Sequence, residues 1–161
     1  MQRDSGLKRF LFNCGTRDGV ASVGLVVLRV AVGLMMLLGH GLPKWRNYAA
    51  LRIEWHVPDF FPLYYLSPQL SLLATLGAEV LAAGLLVLGL MTRPAAFVLG
   101  FVMVVAAFDV NGALPWVSAT GGASKELALL YLIPMLVLLL TGAGAWSLDA
   151  SLYREPKRRH W

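Results

Sequence analysis

Residues 20–42 read VASVGLVVLRVAVGLMMLLGHGL: one arginine, one histidine, and otherwise small or apolar side chains. As a helix rising 1.5 Å per residue, the run reaches about 34 Å, enough to cross a hydrocarbon core about 30 Å thick. Three further stretches carry the same signature, at 70–91, 94–114 and 125–141. In the first three of the four, apolar character continues right around the helix, as lipid contact requires. The fourth is shorter and contains Pro134, which predicts a kink. The expected fold is all-α: an integral membrane four-helix bundle at 20–142, between basic tails at 1–19 and 143–161.

Composition points the same way. The 161 residues are 58% hydrophobic and 14% charged, with a mean hydropathy of +0.66. A soluble domain carries about 45–50% apolar and about 25% charged residues. Disorder is excluded by 5 Trp, 5 Tyr and 7 Phe among long aliphatic runs. The single cysteine, Cys14, excludes an internal disulfide framework, a dithiol relay and any cysteine-based metal cluster. His56 and His160 have no partner at ligand spacing, so no metal site is assigned. Lys8, Arg9 and Arg17 before the first apolar run also fit a cleaved leader. That run, however, is about twice a usual leader core, holds Arg29 in its middle and lacks a small-residue cleavage site, so it is read as a retained helix.

Orientation follows from Lys and Arg in the short flanks. Arg3, Lys8, Arg9, Arg17, Arg93, Arg154, Lys157, Arg158 and Arg159 fall on one side, against Lys44, Arg46, Arg52 and Lys125 on the other. Both termini are expected in the cytoplasm. The net charge of +5 then reports topology and lipid headgroups, and no nucleic-acid partner is expected, because no recognition motif accompanies the basic tails.

The one sizeable connection, 43–69, holds Trp45, Tyr48, Trp55, Phe60, Phe61, Tyr64 and Tyr65 beside Arg46, Arg52, Glu54 and Asp59. Such a segment suits the membrane interface, as a short amphipathic helix followed by an irregular turn. It could cover a site beneath it or only anchor the domain. The last loop, 115–124, reads as a turn rich in Gly and Ser.

Charges in hydrocarbon cost about 2.5–3.5 kcal/mol each on insertion scales, so those that persist face the bundle interior and find partners. Five groups stand inside the expected spans: Arg29, His40, Glu79, Asp109 and Glu126. Helix rise puts Arg29 at roughly 14 Å from the cytoplasmic end, Glu79, Asp109 and Glu126 at roughly 20–24 Å, and His40 at roughly 30 Å. Arg29, Gly33, Met36 and His40 recur at helical spacing on one face. The expectation is therefore a buried cluster in which Arg29 pairs with Glu79 or Glu126 while His40 and Lys44 cap the carboxylate tier from outside. The excess negative charge is met by an outer cation or by a carboxyl that stays protonated. Glu79, Glu126 and His40 are the candidate catalytic groups, and Arg29, Lys44, Asp109 and Trp45 the candidate binding groups. Equally, an Arg–Glu pair can serve helix register alone, and Asp109 and His40 can be ordinary interfacial residues. Gly33, Gly77, Gly84 and Gly89 are read as helix-packing positions. The tetrads Glu79-Val-Leu-Ala and Glu126-Leu-Ala-Leu hint at an internal repeat.

Ordered along the chain are Leu28-Arg29-x-x-x-Gly33, His40-Gly41-x-x-Lys44, Glu79-x-x-x-x-Gly84-x-x-x-x-Gly89-Leu90-x-Thr92-Arg93, Gly122-x-x-x-Glu126-Leu127-Ala128-Leu129 and Gly144-x-x-Ser147-Leu148-Asp149. In these pieces the sequence resembles the DoxX family, small four-helix bacterial membrane proteins grouped with DoxD and MauE. The resemblance covers about 27–149. It implies Arg29, His40, Lys44, Glu79 and Glu126 as the characteristic polar positions, and a multi-pass protein of the bacterial inner membrane. It also implies a place in an oxidoreductase system, since a DoxD-like protein is a subunit of a thiosulfate:quinone oxidoreductase.

Two functions follow. One is a redox membrane subunit with no intrinsic cofactor, binding quinone through His40 or Lys44, moving protons through Glu126 or Glu79, and taking electrons from a partner protein. The other is a non-enzymatic scaffold, assembly factor or small-solute carrier whose outer loop docks a partner. The glycines on its helices would also suit a homo-oligomer.

Overall fold

The computed structural model describes residues 14–152, and among them every regular element is helical. Arg3, Lys8, Arg9, Arg154, Lys157, Arg158, Arg159 and His160 lie outside the described residues. Four apolar helices form the bundle: α1 Gly19–Arg46, α2 Pro68–Leu88, α3 Thr92–Val110 and α4 Glu126–Thr141. A short α5, Leu148–Leu152, follows. The first three are long and apolar enough to cross a membrane. At 16 residues, α4 rises only about 24 Å.

Local chemistry sets the ends. The Asp18 carboxylate accepts the Ala21 N–H at 2.8 Å and opens α1. Ser67 opens α2 by accepting from Leu70 N–H at 3.3 Å, with Pro68 at a first-turn position that needs no N–H. The α1 helix runs past the expected end at 42 because Pro43 falls where the ladder loosens into a π-turn at Leu37–Gly41. The connection to α2 holds one helical turn, Tyr48–Leu51, and one 3-10 turn, Leu63–Tyr65.

Small residues let the helices close up. A Cβ on Gly33 would stand 2.7 Å from Val87 Cγ2 and 3.0 Å from the Ala83 carbonyl, and one on Gly41 would stand 2.7 Å from the Glu79 carbonyl. Both place α1 directly on α2. Gly77 and Gly84, expected to do the same, face open space. Met36, Ala82, Ala83, Leu86, Ala96, Leu99, Met103, Met135 and Leu138 fill the centre. Val20, Leu81, Phe97, Ile133 and Leu140 are exposed, which is what a lipid-facing surface needs.

Both flanks and the α2–α3 turn meet at one end. Gly89 (φ +67°) closes α2 in the left-handed conformation, with Leu90 N–H reaching back to the Leu85 carbonyl at 2.9 Å. Arg29, 4% exposed, donates from Nη1 to the carbonyls of Leu86 at 3.2 Å and Val87 at 2.8 Å. From Nη2 it donates to the Trp146 carbonyl at 2.5 Å. This corrects the expected pairing of Arg29 with Glu79 or Glu126. The last carbonyls of a helix have no partner within it, and the α2 end offers them at the depth of Arg29 itself. Asp149, 2% exposed, accepts the Met91 N–H at 2.7 Å and the Thr92 N–H at 3.0 Å. It thereby caps α3 from across the chain, because Met91 has no side-chain oxygen with which to do so. The segment 143–152 is thus packed onto the bundle, with Gly144 N–H bonding to the Cys14 carbonyl at 2.9 Å.

Replacing Asp149 with Ala strands two amide donors, that of Thr92 buried and that of Met91 partly so, at a cost of about 1–3 kcal/mol. The thermal midpoint of the detergent-solubilised protein is expected to fall by several degrees, with Asp149→Asn recovering part of the loss. A midpoint equal to wild type in the Ala variant contradicts the cap.

Candidate functional site

Each of the three spanning helices carries a π-turn: Leu37–Gly41 in α1 and Ala106–Val110 in α3, both towards the end opposite the chain flanks, and Gly77–Ala82 in the middle of α2. Each holds one of the polar residues singled out above: His40, Asp109 and Glu79 respectively. A π-turn inserts one residue into the ladder, re-aims the side chains around it, and recurs at functional sites.

Between α2 and α3 lies a cavity of about 310 Å³, lined by Lys44, Trp55, His56, Ser71, Glu79 and, on the apolar side, Val102, Val105, Ala106 and Val110. Glu79 is 3% exposed and its Oε1 pairs with Lys44 Nζ, while Oε2 has no partner. Lys44 reaches it from the last turns of α1, and its Nζ also stands 5.5 Å from the centre of the Trp55 ring. The ammonium is thereby held between a buried carboxylate and an aromatic face.

The connecting loop forms the roof. His56 Nε2 meets Asp109 Oδ2, and Asp109 Oδ1 accepts the Asp59 N–H at 3.1 Å. One carboxylate on α3 therefore fastens two loop positions. From α2, Ser71 Oγ donates to the His56 carbonyl at 2.7 Å. Pro58 completes the cover.

The predicted site residues separate into groups. Lys44 and Glu79 come together as a pair, and Asp109 joins their surroundings through His56. His40 instead packs edge-on against the α4 residue Tyr131, ring centres 5.5 Å apart. Trp45 lines a different groove, between α1 and α2, with Leu42, Leu73 and Val80. Glu126 occupies the first turn of α4, where its charge suits the helix dipole, and it bonds to no other described residue. Arg29 is at the far end. Trp55 and His56 were not singled out as site residues. His56 and Asp109 are 53 positions apart, a separation that leaves no periodic trace; the adjacency of Trp55 to His56 within a charged loop was the signal at hand.

The family model DoxX matches residues 24–112. The chain belongs to the DoxX family. Two proteins of Haemophilus influenzae, both described as uncharacterized, are similar to it. One is 33% identical over 135 residues, covering 81% of this chain and 92% of the relative. The other is 27% identical over 147 residues, covering 89% and 93%. No solved structure matches the chain. This DoxX protein is a multi-pass membrane protein, and its matched region contains Lys44, Trp55, His56, Glu79 and Asp109 but ends before Glu126.

Asp109→Ala removes the acceptor that ties the loop to α3. The backbone amides of His56, Val57 and Asp59 are then expected to exchange hydrogen about fivefold faster, equivalent to about 1 kcal/mol, with protection in α1 and α2 unchanged. Equal exchange in both proteins contradicts the fastening.

Proposed function

We propose that this DoxX protein is the membrane-embedded binding component of a quinone-linked oxidoreductase system, and that Lys44 and Glu79 are its working residues. The observation that carries this reading is the unpartnered Oε2 of a buried carboxylate at the polar end of an otherwise apolar cavity. Flat ring molecules with polar edges suit such a place: apolar walls take the ring, and a few placed polar groups fix its edge. Trp55 and Val102 supply walls, and Lys44 supplies a donor for a ring oxygen. A quinone bound there would bring two-electron, two-proton redox chemistry.

The chain's own part is acid–base and positional. As electrons reach the ring, Glu79 can deliver a proton from Oε2 to a ring oxygen and regain one from outside, while Lys44 pairs with Oε1. His56 and Asp109, at the loop, stand between Glu79 and the outside and offer a second proton-carrying pair. Electrons come from a partner protein or a soluble donor, since the sequence carries no cofactor motif. In this reading all four helices span the bacterial inner membrane with both termini in the cytoplasm, so the covered cavity opens towards the outer leaflet. Glu126 and His40, outside the cavity, are not needed for binding.

A second reading, a partner-docking scaffold, is favoured by one separate observation: Ile53, Phe61 and Tyr65 are strongly exposed on the loop.

The test is a titration of the purified protein with duroquinol, a tail-less ring. Glu79→Gln and Lys44→Met are expected to weaken binding at least about tenfold, and Glu126→Gln to leave it unchanged. Equal affinity in all four proteins, or no binding to wild type, defeats the proposal.

A further inference from the structure

The covered cavity does not end at its apolar wall. A second cavity of about 200 Å³ shares Pro58, Ser71, Thr75, Val102 and Val105 with it and continues along the α2–α3 seam past Ala74, Phe97, Val98 and Phe101. Leu63 and Leu66 of the loop border it above. Its walls add no ionisable group, and Phe97, Val98 and Phe101 are themselves exposed on the surface that faces lipid.

We propose, resting on the binding reading above, that the occupant is a tailed amphiphile: a polar ring against Lys44 and Glu79, with a hydrocarbon or prenyl chain laid in the second cavity and leaving between α2 and α3 into the bilayer. Three features argue for it. The two cavities are neighbours that share five lining residues, so a molecule seated in the first lies directly beside the second. The ionisable groups, Lys44, His56 and Glu79, line the first cavity only, which matches a molecule with one polar head. Ser71 and Thr75, the hydroxyls at the junction, are already committed to the His56 carbonyl at 2.7 Å and the Ser71 carbonyl at 3.0 Å, so the passage presents no free donor to reject a chain. The second cavity therefore selects for a tail, and its side opening lets the ligand enter from the membrane without lifting the His56–Asp109 roof.

Ala74 lines the second cavity and not the first. The experiment compares Ala74→Trp with wild type in detergent, using the ubiquinone ring without a tail and the same ring carrying a decyl tail. Partitioning of the tail into detergent is common to both proteins and cancels in the comparison. The tailed ring is expected to lose about tenfold in affinity in the variant, and the tail-less ring to stay within about twofold. Val98→Trp, on the facing helix, repeats the test should Ala74→Trp not give a folded protein. If both rings bind wild type and neither plug separates them, the tail cavity is overturned while the ring site stands. If neither ring binds wild type, the ring site falls and the tail cavity falls with it.

Discussion

A polar group placed in hydrocarbon has only the protein to bond with, and the structure is organised around meeting that demand at two levels of the bundle. At the flank end the demand comes from backbone. The final carbonyls of α2 and the first amides of α3 meet across a tight turn, and neither set is fully satisfied within its own helix. Arg29 takes up the carbonyls of Leu86 and Val87, and Asp149 takes up the amides of Met91 and Thr92. Arg29 also holds the Trp146 carbonyl, so the two charges close the same corner from opposite sides. No Cβ fits at Gly89, where it would come within 2.4 Å of Arg29 Nη1.

At the other level the demand comes from a side chain. Glu79 is buried on α2 beneath the loop, and its compensation arrives from α1 through Lys44. Breaking a buried pair of this kind is costly, because it strands the remaining charge; the pair itself adds little over an apolar substitute. Its place in the bundle is therefore a matter of helix register or of binding more than of stability. The neighbouring π-turns point the same way, since each of the three spanning helices departs from regular geometry where its polar residue stands. With the flank end locked by Arg29 and Asp149, the loop end can carry a covered cavity and irregular helices without loosening the bundle.

The architecture was legible in the sequence because its signal is one-dimensional: long apolar runs set four helices to within a few residues of where they lie. Polar positions were legible one at a time, since any ionisable residue in such a run stands out, and Lys44 and Glu79 were both recognised. Their partners were harder to read. Arg29 was assigned to a carboxylate because charge complementarity is visible in sequence, whereas the carbonyls it binds belong to every residue and leave no mark. Depth along a helix, which put Arg29 below the carboxylate tier, was the better guide. Asp149 looked like part of a tail because charge dominates that segment, and His56 escaped because loop residues have no period that relates them to α3.

The claim on which the rest depends is that Lys44 and Glu79 form one buried unit. A double-mutant cycle measures this directly, through the unfolding free energies of wild type, Lys44→Met, Glu79→Gln and the double variant in the same detergent. The account predicts that each single change destabilises the protein and that the double variant is no less stable than the weaker single, a coupling of about 0.5–3 kcal/mol. Strictly additive losses would contradict it, because two side chains that do not share an interaction cannot form the polar end of a cavity together.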